Sequence, residues 1–195
     1  GELEASGEGP ALAMSHRGPL IAWSEAKGID DQSVFNVKIA PLTEKLQLGK
    51  STIAASGRFI FASPELVDGS SGLGLVYRDK ADKYDLAGLY FVPLSQEGTP
   101  VGDKQRISRA DGKKGPTLKY FNGLFVSAAV RSDEKSLLIG INRFDAKAVR
   151  RGGEFQVYAD ITDYVCVDIA ASDKSIITVF GEDLDEGGRV IVGRV

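Results

Sequence analysis

The sequence has little of the material that builds disulfide-linked or membrane-spanning proteins. Its 195 residues include a single cysteine, Cys166, so the chain cannot form an internal disulfide. No run approaches the ~20 consecutive apolar residues that a membrane-spanning helix needs, and we expect no transmembrane segment. Segments with helical periodicity are also few, which favours an all-β fold.

Extended basic patches are lacking as well. The net charge is -3, and the adjacent basic residues Lys113-Lys114 and Arg150-Arg151 are isolated pairs. Proteins that bind nucleic acids neutralise phosphates with clusters of Lys and Arg. The sequence therefore argues against a nucleic-acid partner, and we expect a protein or carbohydrate partner instead.

What the chain does have is a repeated pattern of two apolar strands joined by a polar loop. Its clearest copy is Gly72–Leu94, in which aromatic and β-branched residues recur at the spacing of a β-hairpin. Further copies lie at Gly18–Ala40, Gly123–Phe144 and Lys174–Val195. Alignment of the first strands places Trp23, Tyr77, Val130 and Phe180 at one position, with a period of about 50 residues that is typical of propeller repeats.

Each copy leaves room for one strand before its hairpin and one after it. The predicted inner strands are Ala11–His16, Arg58–Ala62, Pro116–Phe121 and Tyr164–Ala170, and the predicted outer strands are Lys45–Lys50, Lys104–Ser108 and Gly153–Ala159. The segment Ser63–Ser71 is rich in Pro, Gly and Ser and is predicted to be a loop. The sequence thus predicts one all-β domain over 1–195, a β-propeller with four blades of four antiparallel strands, at about 11–50, 53–108, 116–159 and 164–195.

The fourth unit has three predicted strands, and the N-terminus resembles the one it lacks. Gly1–Ala5 is similar to the outer strand at Gly153–Val157. Residues 1–6 would then complete the last blade and close the ring without an unpaired sheet edge. The alternative is that the four blades belong to a larger ring of six to eight, or to an assembly of several chains.

Acidic residues concentrate in the loops between the second and third strands, which emerge on one face of a propeller. The loops Glu25–Gln32, Asp79–Asp85, Ser132–Lys135 and Glu182–Gly188 carry twelve acidic and four basic residues. We expect this acidic face to bind the partner. The candidate binding residues are Asp30, Asp31, Asp79, Asp82, Asp85, Asp133 and Glu134.

The last of these loops also suggests a cation site. Ca²⁺ takes six to eight oxygen ligands, and Asp183, Asp185 and Glu186 supply carboxylates at close spacing. The pattern lacks the further ligands and the glycine of an EF-hand loop. Ca²⁺ is the one cofactor that the sequence suggests, and a solvated charged loop is the alternative.

The units resemble the degenerate propeller repeats of secreted and cell-envelope bacterial proteins. The resemblance rests on the pattern Gly, four residues, an aromatic residue, Ser or Arg, and an acid, followed by strands such as Leu89–Gly102. No tryptophan–aspartate dipeptide is present, and the double-glycine pattern of kelch repeats is not present either. The resemblance implies a binding scaffold that lies outside the cell or in its envelope, and it implies no particular reaction.

We therefore expect a non-enzymatic binding module that presents its acidic loop face to a protein or glycan. The main alternative is a glycosidase-like hydrolase, which needs a pair of carboxylates. Among the predicted inner strands, only Asp168 supplies an acid, and this favours binding over catalysis. A monomer, or a part of a larger assembly, is compatible with the sequence.

Overall fold

The structure, a computed structural model, describes residues 9–27, 34–58, 64–79, 88–109, 115–133, 136–159, 166–171, 175–182 and 189–194. These residues form fifteen β-strands and contain no helix. The strands are β1 (Ala11–Ser15), β2 (Gly18–Lys27), β3 (Val34–Pro41), β4 (Thr52–Gly57), β5 (Glu65–Asp68), β6 (Leu73–Asp79), β7 (Gly88–Leu94), β8 (Gln105–Arg109), β9 (Thr117–Phe121), β10 (Leu124–Asp133), β11 (Ser136–Phe144), β12 (Phe155–Ala159), β13 (Cys166–Ala171), β14 (Ile176–Glu182) and β15 (Arg189–Arg194).

The strands form four antiparallel sheets in which consecutive strands are neighbours. Sheet 1 contains β1 to β4, sheet 2 contains β5 to β8, sheet 3 contains β9 to β12, and sheet 4 contains β13 to β15. The prediction of an all-β chain with four repeated antiparallel units is confirmed, and the arrangement is compatible with a β-propeller. The proposed fourth strand of sheet 4, at residues 1–6, lies outside the described residues.

The first strands of the four sheets lie side by side in chain order. Strand β1 contacts β5, β5 contacts β9, and β9 contacts β13. Each sheet therefore packs on the next one through its face, and we call the first strand of each sheet its inner strand. We call the face that points to the preceding sheet the leading face, and the opposite one the trailing face.

Three apolar layers fill the spaces between successive sheets. Phe35, Tyr77 and Tyr90 lie in the layer between sheets 1 and 2. Between sheets 2 and 3, Phe91 contacts Phe125 and Phe144 at ring-centroid distances of 5.2 and 4.5 Å. The third layer is aliphatic, with residues such as Val130, Ile141 and Ile169 between sheets 3 and 4. These layers are the main source of stability, because fully burying one such side chain contributes about 1.5–3 kcal/mol.

A five-residue turn recurs between the third and fourth strands of sheets 1, 2 and 3. We call residues 43–47, 95–99 and 145–149 the repeat turns. In each, the first residue is Thr43, Ser95 or Asp145, and its side-chain oxygen accepts a hydrogen bond from the N–H of the fifth residue, at 3.1, 3.4 and 3.0 Å. The fourth residue is Leu46, Gly98 or Ala148, and each has a positive φ, of 58°, 80° and 62°. This repeat of geometry shows that the three sheets are copies of one unit.

The repeat turn explains why the predicted boundary between the first two units is wrong. Lys45 and Leu46 belong to the turn, so the outer strand of sheet 1 is β4 at Thr52–Gly57 and not Lys45–Lys50. The inner strand of sheet 2 is likewise β5 at Glu65–Asp68, inside the segment that was predicted to be a loop. Of the predicted inner strand Arg58–Ala62, only Arg58 lies within the described residues, and it follows β4 as a bend.

The predicted alignment of the first hairpin strands, which are β2, β6, β10 and β14, needs one correction. Tyr77 lies on the leading face of sheet 2, whereas Val130 lies on the trailing face of sheet 3. The residue of sheet 3 that shares the face of Tyr77 is Ala129. Since successive strand residues point to opposite faces, a shift of one residue moves a side chain to the other face.

Candidate functional site

The repeat places three polar residues at the same level of three adjacent inner strands. Glu65 precedes Leu66, Thr117 precedes Leu118, and Asp168 precedes Ile169, and each of these apolar residues lies in the core. Their cross-strand partners are the matching residues Val76, Ala128 and Val179. Together with Lys119, which lies two residues beyond Thr117, these side chains form what we call the inner-strand cluster.

Asp168 is at the centre of the inner-strand cluster. Its Oδ1 accepts hydrogen bonds from Thr117 Oγ1 at 3.1 Å and from the Ile169 N–H at 2.8 Å. Lys119 Nζ lies 3.4 Å from the same oxygen. The other oxygen, Oδ2, accepts no hydrogen bond from the described residues, and the Asp168 side chain is 68% exposed. One carboxylate oxygen is therefore held in position while the other can meet a ligand.

The cluster shifts the acidities of its two carboxyl groups in opposite directions. Burial tends to raise the pKa of Asp168, but the hydrogen bonds from Ile169 and Thr117 and the charge of Lys119 outweigh this and hold that pKa below its usual value. Burial raises the pKa of Glu65, with Lys119 opposing the rise and Asp168 adding to it. Asp168 is thus a stable anion, and Glu65 is the carboxyl group that retains a proton more easily.

The inner-strand cluster lies at the end of the molecule from which the acidic loops leave. In an antiparallel sheet, the start of the first strand and the end of the second share one edge. Glu65 opens β5 and Thr117 opens β9, and β6 and β10 run to Asp79 and Asp133 at that same edge. Strands β6 and β10 therefore end at the same edge of sheets 2 and 3 at which Glu65 and Thr117 lie.

The opposite end of the molecule uses its polar groups to join neighbouring turns. Gln96 Nε2 donates to Asp68 Oδ1 at 2.9 Å, and Gln96 Oε1 accepts from the His16 N–H at 3.2 Å. Arg17 and Glu97 form an exposed ion pair at 2.7 Å. These groups connect sheet 1 to sheet 2 and bind one another, which makes this end a less suitable site for a ligand.

Among the binding residues that the sequence suggests, Asp79 has a structural position. It is 1% exposed, and its Oδ2 is 2.9 Å from Lys104 Nζ, while its Oδ1 accepts from the Arg58 N–H at 2.9 Å. Gly57 leaves the space for this carboxylate, because a Cβ added there would lie 2.6 Å from Oδ2. Asp79 therefore ties sheet 1 to sheet 2 and does not face a ligand.

Most of the other predicted site residues fall where the structure gives no description. Asp133 is the last residue of β10 and pairs with Ser136. The remaining binding candidates outside the described residues are Asp30, Asp31, Asp82, Asp85 and Glu134, and the calcium candidates outside them are Asp183, Asp185 and Glu186. Within the described ranges, no group of three or more His, Cys, Asp or Glu side chains is placed to bind a metal ion.

Glu65 was not predicted to be an inner-strand acid. The available signal was the short connection between the inner strand and the hairpin that follows it. In sheets 1 and 3 the inner strand ends at Ser15 and Phe121, and two residues separate it from the next strand. If the inner strand of sheet 2 is also required to end close to the next strand, its predicted position is near Asp68 and not at 58–62. Glu65 matters because it adds a second acid to the inner strands, where only Asp168 was expected.

Comparison with known proteins does not assign a family to the chain. No family model matches the sequence, and a search of curated proteins also finds no match. In the part of the chain that the structure describes, no helix has the length and apolar character needed to cross a bilayer.

Proposed function

We propose that the four sheets are consecutive blades of a β-propeller that serves as a binding module. Three features support this: the repeated four-stranded meander, the inner strands that contact one another in chain order, and the repeat turns. Propellers use this architecture to present loops and inner-strand ends around a central axis. A secreted or cell-envelope location is part of the proposal, because the repeats resemble those of proteins found there.

The number of blades in the complete ring is a separate part of the proposal. A ring closed by four blades would cover the leading face of sheet 1, yet Leu12 on that face is 64% exposed. The exposure of Leu12 favours the alternative in which the four sheets belong to a larger ring, whereas Trp23 on the same face is 5% exposed and favours a ring that covers this face. The pairing of residues 1–6 with sheet 4 stays a prediction.

The observation that carries the binding function is the exposed Asp168, whose Oδ2 accepts no hydrogen bond from the part of the chain that the structure describes. In the inner-strand cluster, the two carboxyl groups of Glu65 and Asp168 outnumber the single ammonium group of Lys119. Such a surface attracts cations, and this interaction weakens as salt increases. We infer that the partner is a protein segment rich in Lys or Arg, in preference to a neutral glycan.

Binding of short peptides and oligosaccharides to the immobilised chain tests this function. Oligolysine should bind at low salt and dissociate as salt increases, whereas oligoglutamate and a neutral β-glucan oligosaccharide should not bind. Asp168→Asn should weaken oligolysine binding by about twofold to fivefold, the effect of one exposed ion pair. Glu97→Gln is the matched control, because it removes one negative charge at the opposite end of the molecule.

Two results would contradict the proposed binding function. If Asp168→Asn and Glu97→Gln weaken binding equally, the interaction is a nonspecific charge effect and the inner-strand cluster is not its site. If the β-glucan oligosaccharide binds and oligolysine does not, the partner is a carbohydrate.

A hydrolase is the second candidate function, and the pair Glu65 and Asp168 is the observation that favours it. Glycosidases use one carboxyl group with a raised pKa as an acid and a second, ionised one as a nucleophile or base. The opposite pKa shifts of Glu65 and Asp168 fit these roles. Hydrolysis of a panel of nitrophenyl glycosides by the wild type, with loss of activity in Glu65→Gln, would support catalysis; absence of turnover on every substrate would leave the binding function.

A further inference from the structure

The ammonium group of the inner-strand cluster belongs to the strand between its two acids. Strand β9, which carries Lys119, contacts β5 on one side and β13 on the other. Lys119 Nζ lies 3.4 Å from Asp168 Oδ1, and its charge opposes the rise in the pKa of Glu65 that burial causes. The two carboxyl groups therefore share a counter-ion that the chain itself supplies.

The contact of Lys119 is the longest of the three that reach the Oδ1 atom of Asp168. Thr117 Oγ1 and the Ile169 N–H donate to this oxygen at 3.1 and 2.8 Å. The 3.4 Å distance from Lys119 Nζ is longer than the value of about 2.7–2.9 Å for a charge-assisted hydrogen bond. The Lys119 side chain is 46% exposed, and an exposed ion pair contributes little free energy. Lys119 can thus separate from Asp168 at small cost.

Asp168 keeps its position when Lys119 leaves. Thr117 is 6% exposed, and it lies two residues from Lys119 on the same face of β9. Its hydroxyl and the Ile169 N–H bind Oδ1 without help from the lysine. Because neutral donors hold one oxygen of the carboxylate, the group stays preorganised for a cation on the other oxygen.

A partner's ammonium group on Asp168 Oδ2 meets the positive charge of Lys119 on Oδ1. Two cations that share one carboxylate lie a few ångströms apart, well inside the Debye length at physiological salt. Their repulsion opposes binding while Lys119 stays in place. A basic partner therefore binds best when Lys119 moves away from Asp168.

We propose that Lys119 is an internal competitor of the basic partner and sets the affinity of the inner-strand cluster. In the free chain Lys119 pairs with Asp168, and a Lys or Arg of the partner replaces it there. This inference rests on the proposed binding function and deepens it, because it gives Lys119 a role opposite to that of Asp168. Asp168 strengthens binding of a cation, and Lys119 weakens it.

Binding of oligolysine to the immobilised chain at low salt tests the role of Lys119. Lys119→Met removes the charge and keeps an unbranched apolar side chain, and it should strengthen binding by about twofold to fivefold. Lys119→Arg keeps the charge and should bind like the wild type. Lys147→Met is the matched control, because Lys147 is exposed in the repeat turn of sheet 3 and its loss removes the same charge outside the cluster. The half-exposed position of Lys119 should allow each variant to fold.

The same change in the Asp168→Asn chain shows whether Lys119 acts through Asp168. If it does, Lys119→Met should strengthen binding less in this chain than in the wild type. A gain of affinity also distinguishes competition from a structural role, because a lysine that only supports the cluster would weaken binding when it is removed.

Three results would overturn the role of Lys119. If the wild type binds oligolysine and Lys119→Met binds it equally or more weakly, the lysine does not compete, and the binding function itself is unaffected. If Lys119→Met and Lys147→Met gain equally, the effect follows the net charge alone. If neither the wild type nor Lys119→Met binds oligolysine, the proposed binding function fails, and the competitor role fails with it.

Discussion

The repeat turns allow a stability experiment with an internal comparison. Their fourth residue adopts a left-handed conformation in all three copies, but only the second copy uses glycine, at Gly98. A residue with a Cβ costs about 1–2 kcal/mol in this conformation. Glycine instead costs about 0.5–1 kcal/mol of additional chain entropy on folding. Leu46→Gly should therefore stabilise the protein by about 0.5–1 kcal/mol, since Leu46 is 78% exposed and loses little packing.

The other two copies should respond differently for reasons visible in the structure. Ala148 has the same backbone conformation but is 6% exposed, and loss of its buried methyl group costs about 0.8 kcal/mol. Ala148→Gly should thus be close to neutral. In Gly98→Ala, the new Cβ would lie 2.6 Å from Ile39 Cγ2 in sheet 1, so both strain and overpacking should destabilise the protein by about 1–3 kcal/mol.

Urea unfolding followed by the fluorescence of Trp23, the single tryptophan, measures this series. For a chain of this size, a change of 1 kcal/mol corresponds to a shift of about 2–4 °C in Tm, which thermal unfolding can confirm. The expected order of stability is Leu46→Gly, then wild type and Ala148→Gly, then Gly98→Ala. A loss of stability in Leu46→Gly, or a gain in Gly98→Ala, would refute the reasoning from the backbone conformation.

Three further changes test the polar groups between and inside the sheets. Asp79→Asn should cost about 2 kcal/mol in urea unfolding because it removes charged hydrogen bonds from a buried site, whereas Glu97→Gln in the exposed pair should have a much smaller effect; equal costs would contradict this difference. Tyr77→Phe should add about 1 kcal/mol of stability, since the Tyr77 hydroxyl is buried without a hydrogen-bond partner among the described residues, and a clear loss would show that the hydroxyl is satisfied. Folding raises the pKa of Glu65 above its ordinary value of 4.5. The contribution of Glu65 to stability is therefore full below pH 4.5 and is lost as the pH rises through the raised pKa. Since glutamine does not titrate, the stability of Glu65→Gln relative to wild type should increase from pH 4 to pH 7. A difference that stays constant over this range would contradict the shift.

The candidate site shows where reasoning from sequence reached its limit. Asp168 was placed on an inner strand by its alternation with apolar residues, and the structure has it in β13. Glu65 was missed because Pro64 and Gly69 enclose a strand of four residues, which has too little length to show a period of two. Asp79 was placed on the rim by its charge, yet Lys104 and the space left by Gly57 accommodate it in the interior.

The sequence by itself determined the hairpins and the number of units, because these depend on local alternation and on a period that is visible along the chain. Only the tertiary structure decided which face each strand buries, since a shift of one residue, as between Ala129 and Val130, leaves the local pattern unchanged and reverses the side chain. It also decided that Glu65, Thr117 and Asp168 lie at one level, because their proximity results from the packing of separate sheets. The exposure of Leu12 has the same origin, because Leu12 has the same position in its strand as the buried Leu66 and only the arrangement of the sheets distinguishes them.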